Sequence, residues 1–370
     1  MNITQIKPQI RYVGVNDRTT TRFEALWSLP YGVSYNSYLV LGEKVALIDT
    51  VEESFGSRYL ENIRRELGDR KVDYLIVNHM EPDHSSSVVA LRRIYPDVQI
   101  VGNAKTLQML GGYYGIDRGT IEVKEGQTLP LGGGLTLAFC MIPMVHWPET
   151  MATYCPELKT IFPGDAFGTF GALDGGITDS QLRLDHFWDE MRRYCSTHVA
   201  VWQREIARVV EIYDKLSRYE GERGAVIAYG SMYGNTAQMA EEIARGLAEE
   251  GVCPIVVHNL STADPSMVLR DVFKYDTLIV GSPTYNGELF PEVEALLSRI
   301  AARCVPQRNF AYFGSYTWAG AAVRRFAEFA ERMKWQTPCT PVEMLQGYSH
   351  ENCGNRCRTL ARQIAEMMNK

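Results

Sequence analysis

The segment "NHMEPDHSSS" gathers side chains that bind metal ions. His79, Glu81 and Asp83 alternate directly after the apolar run "YLIV", and His84 follows them. Alternate residues of an extended chain face the same side, and the proline after Glu81 favours that geometry. The spacing therefore predicts that the three alternating residues point into one cavity. His84 points elsewhere, where it is available to a second metal or to a hydrogen bond behind the ligands.

Two later positions have the same setting, a polar residue at the end of a strand. His146 closes the run "AFCMIPMVHW", and Asp165 ends the run "TIFPGD". A single His or Asp in such a position is more often structural than a ligand. Combined with the His-x-Glu-x-Asp-His segment, the two residues predict a metal site assembled from several strand ends.

The first half of the chain must position these ligands. Up to about residue 170, short apolar runs are separated by Gly, Pro or Asn, which is typical of strands, and helices are predicted at 56–67 and 86–94. The pattern predicts a mixed α/β sandwich. The charged stretch "RYEGERG" reads as a linker, so the expected domains are residues 1–218 and 224–370.

The second half alternates strand, loop and helix. Five such units in about 145 residues predict a doubly wound parallel sheet. The predicted helices are 236–250, 266–273, 291–301 and 320–334, followed by a closing strand and helix.

Three loops at the carboxyl ends of these strands form a candidate cofactor site. The first leads into a helix N-terminus, which favours a phosphate, and it is not a G-x-G-x-x-G dinucleotide loop. The other two carry small residues that allow close approach to a ring, with Tyr285 and Trp318 able to pack on it. The candidate residues are Ser231, Met232, Tyr233, Gly234, Asn235, Thr236, Ser282, Pro283, Thr284, Tyr285, Asn286, Gly287, Ser315, Tyr316, Thr317, Trp318, Ala319 and Gly320.

The metal motif, "HWPET", "FPGDAFG" and the flavodoxin-type half together resemble the flavodiiron proteins, also called A-type flavoproteins, over nearly the whole chain. The resemblance implies a metallo-β-lactamase-like αββα sandwich with a non-haem diiron centre, followed by a flavodoxin-like domain that binds FMN. It also implies that His79, Glu81 and Asp83 are the first three ligands, that His146 is the fourth, and that Asp165 bridges the two irons.

A sixth ligand is expected from His198, which aligns with the family's last ligand through its neighbours Thr197 and Trp202. The family's Gly-Pro after this His is Val199-Ala200 here, and a helix and strand that usually precede it are missing. A deletion is the simplest account of the missing elements. His198 is therefore either a ligand reached by a shorter path or a structural His, with His186 as the nearest substitute.

Glu81 argues for iron independently of the resemblance. Zinc hydrolases of the same sandwich usually carry a His at this position, and oxygen ligands suit iron or manganese better than zinc. The implied activity is reduction of O₂ to water, of NO to N₂O, or of both. Reduction of O₂ to water needs four electrons, which a reduced FMN and a diferrous pair supply together.

The composition excludes some partners and leaves others open. A net charge of −6 without a basic stripe makes nucleic acid an unexpected partner, and the lack of a long apolar run or a signal pattern predicts a cytoplasmic protein. Residues 338–370 look like the end of a flavodoxin rather than a rubredoxin. Electrons are thus expected from a separate donor, such as rubredoxin, a reduced deazaflavin or a flavin reductase. The family implies a head-to-tail homodimer or a tetramer.

Two other functions remain open from the sequence. One is an FMN electron carrier with an impaired metal site, which the shortened segment around His198 would explain. The other is a dinuclear metallohydrolase joined to a flavodoxin, against which the carboxylate of Glu81 argues. The identity of the bound metal separates all three functions.

Overall fold

The computed structural model describes residues 5–177, 184–193, 206–306, 308–345 and 352–369. The chain divides into two compact units, Met1–Tyr213 and Asp214–Lys370. The domain limits proposed from the sequence, 1–218 and 224–370, stay a prediction. His198 lies outside the described residues.

The first unit is built mainly from short strands. Its strands are β1 (Gln5–Lys7), β2 (Ile10–Tyr12), β3 (Val15–Asp17), β4 (Arg22–Phe23), β5 (Trp27–Ser28), β6 (Val33–Tyr35), β7 (Tyr38–Leu41), β8 (Val45–Ile48), β9 (Tyr74–Ile76), β10 (Gln99–Gly102), β11 (Thr120–Glu122), β12 (Thr128–Gly132), β13 (Leu135–Met141), β14 (Met151–Cys155) and β15 (Thr160–Phe162). Its helices are α1 (Gly56–Leu67), α2 (Pro82–Ser85), α3 (Val88–Ile94), α4 (Ala104–Tyr114) and α5 (Leu184–Arg193), after which α6 (Ile206–Ser217) leads into the second unit.

Two main sheets form the sandwich of the first unit. One has the order β1-β2-β7-β8-β9-β10-β11 and the other the order β12-β13-β14-β15. Successive side chains of a strand face opposite sides of a sheet. Accordingly, Leu39 of β7 joins the core that includes the buried residues of α1, while Tyr38 and Val40 join the core that includes those of the second sheet. Because side chains of β7 alternate between the two cores, the first sheet packs against helices on one face and against the second sheet on the other.

The second unit is a parallel sheet with helices on both faces. Its strands are β16 (Glu222–Tyr229), β17 (Ile255–Asn259), β18 (Tyr275–Pro283), β19 (Asn309–Tyr316) and β20 (Val342–Leu345), and its helices are α7 (Asn235–Glu249), α8 (Pro265–Lys274), α9 (Pro291–Ala302), α10 (Ala322–Met333) and α11 (Cys353–Met368). The strand order is β17-β16-β18-β19-β20, with every neighbouring pair parallel. This is the 2-1-3-4-5 order of flavodoxin-like folds, whose ligands bind beyond the carboxyl ends of the strands.

The predicted fold class is confirmed for both units. The sequence placed four helices of the second half to within two residues of α7, α8, α9 and α10. Among the described residues, no helix combines the length and the apolar character needed to cross a membrane.

We expect the core beneath α1 to set the stability of the first unit. Ile63 of α1 is fully buried in that core, so Ile63→Ala should lower the free energy of unfolding by about 2–5 kcal/mol, because it removes buried methyl groups and leaves a cavity. Urea unfolding followed by circular dichroism measures the change. Glu61→Ala on the exposed face of the same helix is the control, and equal effects of the two substitutions would contradict the packing described here.

Candidate metal centre and flavin site

The first cluster of metal-binding groups forms where three segments meet. His79 and Glu81 follow β9, His146 lies between β13 and β14, and Asp165 follows β15. The His79 Nε2 atom lies 3.3 Å from Glu81 Oε2 and 3.3 Å from Asp165 Oδ2. The His146 Nε2 atom lies 2.9 Å from the same Glu81 oxygen and 3.2 Å from Asp165 Oδ2.

These four residues define what we call the first metal position. Their ligand atoms all lie within 4.8 Å of one another. Two imidazoles and two carboxylates around one point match the donors that hold iron in carboxylate-rich sites. The sequence prediction that these four residues share a cavity is consistent with this placement.

The extended geometry predicted through Asp83 is wrong. Pro82 is the first residue of the short helix α2, and the Ser85 N–H donates to the Glu81 carbonyl at 3.1 Å. A proline fits the first position of a helix, because its fixed φ is helical and its missing N–H would have no partner there. The helical turn therefore removes Asp83 from the alternating row and places it beside His84.

Asp83 and His84 define a second metal position with the other oxygen of Asp165. The His84 Nε2 atom lies 2.7 Å from Asp165 Oδ1 and 3.6 Å from Asp83 Oδ2. One oxygen of Asp165 thus faces the imidazoles of His79 and His146 while the other faces His84. A carboxylate divided in this way has the arrangement that a bridge between two metal ions requires.

Glu149 positions His79, and sequence reasoning did not assign it a role. Its Oε1 atom accepts hydrogen bonds from His79 Nδ1 at 2.8 Å and from the Met80 N–H at 2.9 Å. Because Nδ1 is bonded to Glu149, Nε2 is the ring nitrogen that faces the first metal position. Carboxylates behind metal-binding imidazoles commonly fix the ring in this way. The motif "HWPET" contained the signal, since Glu149 follows His146 by three residues.

Asp49 stands in a similar relation to His84. Its Oδ2 atom lies 3.6 Å from His84 Nδ1, and its Oδ1 atom accepts a hydrogen bond from the Asn78 N–H at 2.7 Å. Asp49 follows β8, so it is another acidic residue at a strand end, the same signal that identified Asp165. His84 therefore faces Asp165 with one nitrogen and Asp49 with the other.

The carboxylates dominate the electrostatics of both positions. Burial alone would lower the pKa of His79, but Asp165, Glu149 and Glu81 raise it to about 9. Burial likewise lowers the pKa of His146, and the carboxylates of Asp165 and Glu81 raise it to about 10. The site therefore attracts positive charge, and a metal ion that binds must displace protons from these rings.

The remaining candidate ligands lie beyond what the structure describes. His198 belongs to residues 194–205, and the side chain of His186 on α5 is likewise outside the described set. Within the described residues, the donor set at the two positions fits a pair of iron ions that share Asp165. The ligand assignments themselves stay a proposal.

The first cofactor loop joins β16 to α7. The Ser231 hydroxyl accepts hydrogen bonds from the Gly234 N–H at 3.2 Å and from the Ala237 N–H at 3.4 Å, which folds the loop over the helix start. Gly234 precedes the helix at a φ of 90° and has no side chain to cap it. The positive end of α7 therefore suits an anion such as a phosphate.

A cavity at the carboxyl ends of the parallel strands connects the three loops. The Thr236 and Ser315 hydroxyls hydrogen-bond across it at 2.8 Å. Ser282 is fully buried, and its hydroxyl bonds to the Pro283 carbonyl and the Phe290 N–H instead. The predicted residues that line the cavity are Ser231, Met232, Tyr233, Asn235, Thr236, Pro283, Thr284, Ser315, Tyr316 and Thr317.

Aromatic side chains near this cavity are unusually exposed. Tyr233 is 90% exposed and Trp318 is 88% exposed, and Tyr285 is also exposed. Single exposed apolar residues are normal on protein surfaces, but these three belong to the three candidate cofactor loops, one to each loop. A planar ring that packs against them would cover their apolar faces, which fits the isoalloxazine ring of FMN.

Comparison with known protein families identifies both halves. The family model described as "ODP family beta lactamase" matches residues 33–215, and the model described as "Flavodoxin" matches residues 227–351. Together the two matched regions cover most of the described site residues.

Sequence similarity to known proteins extends over nearly the full chain. A nitric oxide reductase from Moorella thermoacetica is 29% identical, with 96% of each chain covered. An anaerobic nitric oxide reductase flavorubredoxin from Escherichia coli is 27% identical, with 94% of this chain and 81% of that protein covered. The solved structure of rubredoxin:oxygen oxidoreductase from Desulfovibrio gigas has a TM-score of 0.91 at 25% identity, covering 99% of this chain and 98% of that one.

The fold, the cluster of metal-binding groups and these similarities define a two-domain flavoprotein with a metallo-β-lactamase-like half. The chain belongs to the flavodiiron proteins. This membership confirms the predicted oxidoreductase class and the predicted cofactors, FMN and a non-haem diiron centre.

We expect Glu149→Gln to weaken metal binding roughly tenfold to a hundredfold, because the amide holds His79 Nδ1 less firmly than the carboxylate does. Titration of the metal-depleted protein with Fe²⁺ under anaerobic conditions measures the affinity. Glu122→Gln, at an exposed carboxylate of β11, is the matched control. If Glu149→Gln and Glu122→Gln bound Fe²⁺ equally well, the role given to Glu149 would be wrong.

Proposed function

We propose that this protein reduces O₂ to water, NO to N₂O, or both, with electrons relayed through FMN to a diiron centre. The observation that carries the proposal is the placement of Asp165. Its two oxygens face two separate groups of metal-binding side chains, as a pair of adjacent metal ions requires. The names of the relatives, which include nitric oxide reductases and an oxygen oxidoreductase, support the same reactions.

In this proposal each side chain of the cluster has a stated task. His79, Glu81 and His146 would hold the first iron, Asp83 and His84 would hold the second, and Asp165 would be shared by both. His198 is proposed as a further ligand of the diiron centre. When bound, the irons would take up the gas and exchange electrons with it, and FMN would supply electrons singly.

The protein controls access to this site through burial. His79 and Asp165 are fully buried, whereas about a quarter of the His146 side chain is exposed. The edge of the Trp147 ring packs against His79, with ring centroids 5.3 Å apart. A small gas molecule would therefore approach most readily beside His146, the most exposed residue of the first metal position.

In the second domain, the loop that contains Ser231 and the start of α7 would hold the FMN phosphate. The loops after β18 and β19 would flank the isoalloxazine ring, with Tyr285 and Trp318 against its faces. The residues predicted from the sequence are proposed as this cofactor site.

The electron donor is proposed to be a small redox protein or a reduced flavin system, such as rubredoxin or a reduced deazaflavin. The names flavorubredoxin and rubredoxin:oxygen oxidoreductase support a rubredoxin as one candidate. A head-to-tail homodimer, or a tetramer built from it, is proposed for the assembly, and the cytoplasmic location stays a prediction.

The two rival functions are not favoured. An FMN carrier with an impaired metal site has no need for buried imidazoles and carboxylates to converge. Here eight distances under 4 Å join His79, His84 and His146 to buried carboxylates. A zinc hydrolase does not explain why Glu81 supplies a carboxylate within 2.9 Å of His146 Nε2.

We expect Asp165→Asn to lose iron and to reduce both gases about a hundredfold more slowly or worse, because an amide cannot bridge two cations. FMN content should not change, since Asp165 belongs to the other domain. Iron and FMN per subunit, followed by O₂ and NO consumption, measure these effects. Asp174→Asn, at an exposed acid of the same domain, is the control. Full iron content and activity in Asp165→Asn would contradict the proposal.

A further inference from the structure

Helix α10 follows the third cofactor loop, residues 315–320, but begins without a capping side chain of its own. Its N-cap residue is Ala321, and the helix starts with Ala322 and Val323. The first N–H groups of a helix have no partner within the helix and need acceptors from elsewhere. Two side chains, one from the second cofactor loop and one from β20, supply them.

Thr284 is the first of these side chains, and it contacts both ends of the third loop. Its N–H donates to the Ser315 carbonyl at 2.8 Å, where the loop begins. Its hydroxyl oxygen accepts from the Ala321 N–H at 2.9 Å and from the Ala322 N–H at 3.3 Å, where the loop ends. One residue of the second cofactor loop therefore fixes the span of the third.

Glu343 of β20 is the second side chain. Its Oε1 atom accepts from the Val323 N–H at 3.2 Å. The other oxygen lies so close to Gly320 that a Cβ atom built there would be only 2.7 Å away. The carboxylate is thus packed beneath the end of the third loop, and the absence of a side chain at Gly320 makes that approach possible.

We propose that Thr284 and Glu343 are positioning residues for FMN, which hold the third loop and the start of α10 in the shape that binds the ring. Glu343 also places a negative charge against the positive end of α10, directly behind the loop. This inference rests on FMN binding by the second domain. Sequence reasoning included Thr284 as a contact residue but did not include Glu343.

The test is FMN titration of the deflavinated full-length protein, followed by fluorescence quenching. We expect Glu343→Ala and Thr284→Val each to weaken FMN binding roughly tenfold to a hundredfold, because each leaves helix N–H groups without their acceptor. Glu343→Gln keeps an acceptor oxygen and should bind FMN nearly as the wild type does. The exposed Glu292→Ala in the first turn of α9 is the control.

A second measurement separates the effect of the Glu343 charge on FMN from the effect of its hydrogen bond to α10. The midpoint potential of bound FMN should rise in Glu343→Gln, because removal of a negative charge favours the reduced cofactor, whereas it should not change in Glu292→Ala. A side chain with only a general structural role would lower thermal stability without moving the potential. An unchanged potential in Glu343→Gln would therefore overturn the electrostatic part of the proposal.

Gly320→Ala provides a further test, which remains informative if Glu343→Ala fails to fold. In the wild-type background the new Cβ should displace the carboxylate and weaken FMN binding, whereas in Glu343→Gly the same substitution should have little effect. Equal effects in both backgrounds, or wild-type affinity in a folded Glu343→Ala, would overturn the inference. A wild-type protein that bound no FMN would instead refute the proposed function.

Discussion

The buried carboxylate of Asp165 is the group on which the metal-binding half of the structure depends. Charged groups leave water at a high cost unless other charges compensate them. Asp165 is fully buried with His79 and His84 on either side; His79 and Asp165 follow strands of the sandwich, and His84 lies on the short helix α2. Such a cluster is costly as a structural core but well suited to cations. The buried negative charge of this cluster therefore favours the binding of metal ions at this end of the sandwich.

The supporting groups show how this arrangement is kept in register. Glu149 fixes the ring of His79, and Asp49 lies behind the ring of His84. In the flavin half, Thr284 and Glu343 perform the corresponding task for the third cofactor loop. In both halves the groups expected to touch the cofactor are held by residues from other segments of the chain, which is how a site built on loops gains precision.

Much of the fold and of the metal cluster could be predicted from the sequence, because strand periodicity and motif spacing are local properties. His79, Glu81, His146 and Asp165 converge as expected, and helices of the flavodoxin half lie close to their predicted limits. The turn at Pro82 was missed, since a proline suits both an extended chain and a helix start. Glu149 and Glu343 were missed because their roles depend on contacts across 70 and 20 residues of chain.

The most direct test of a diiron centre is the metal content and magnetic coupling of the anaerobically purified full-length protein. Iron, zinc and FMN per subunit would be determined, and Mössbauer spectra recorded on protein loaded with isotopically enriched iron. The account predicts two coupled irons and one FMN per subunit, with Asp165 as the bridge. A single uncoupled iron, or zinc in place of iron, would contradict it.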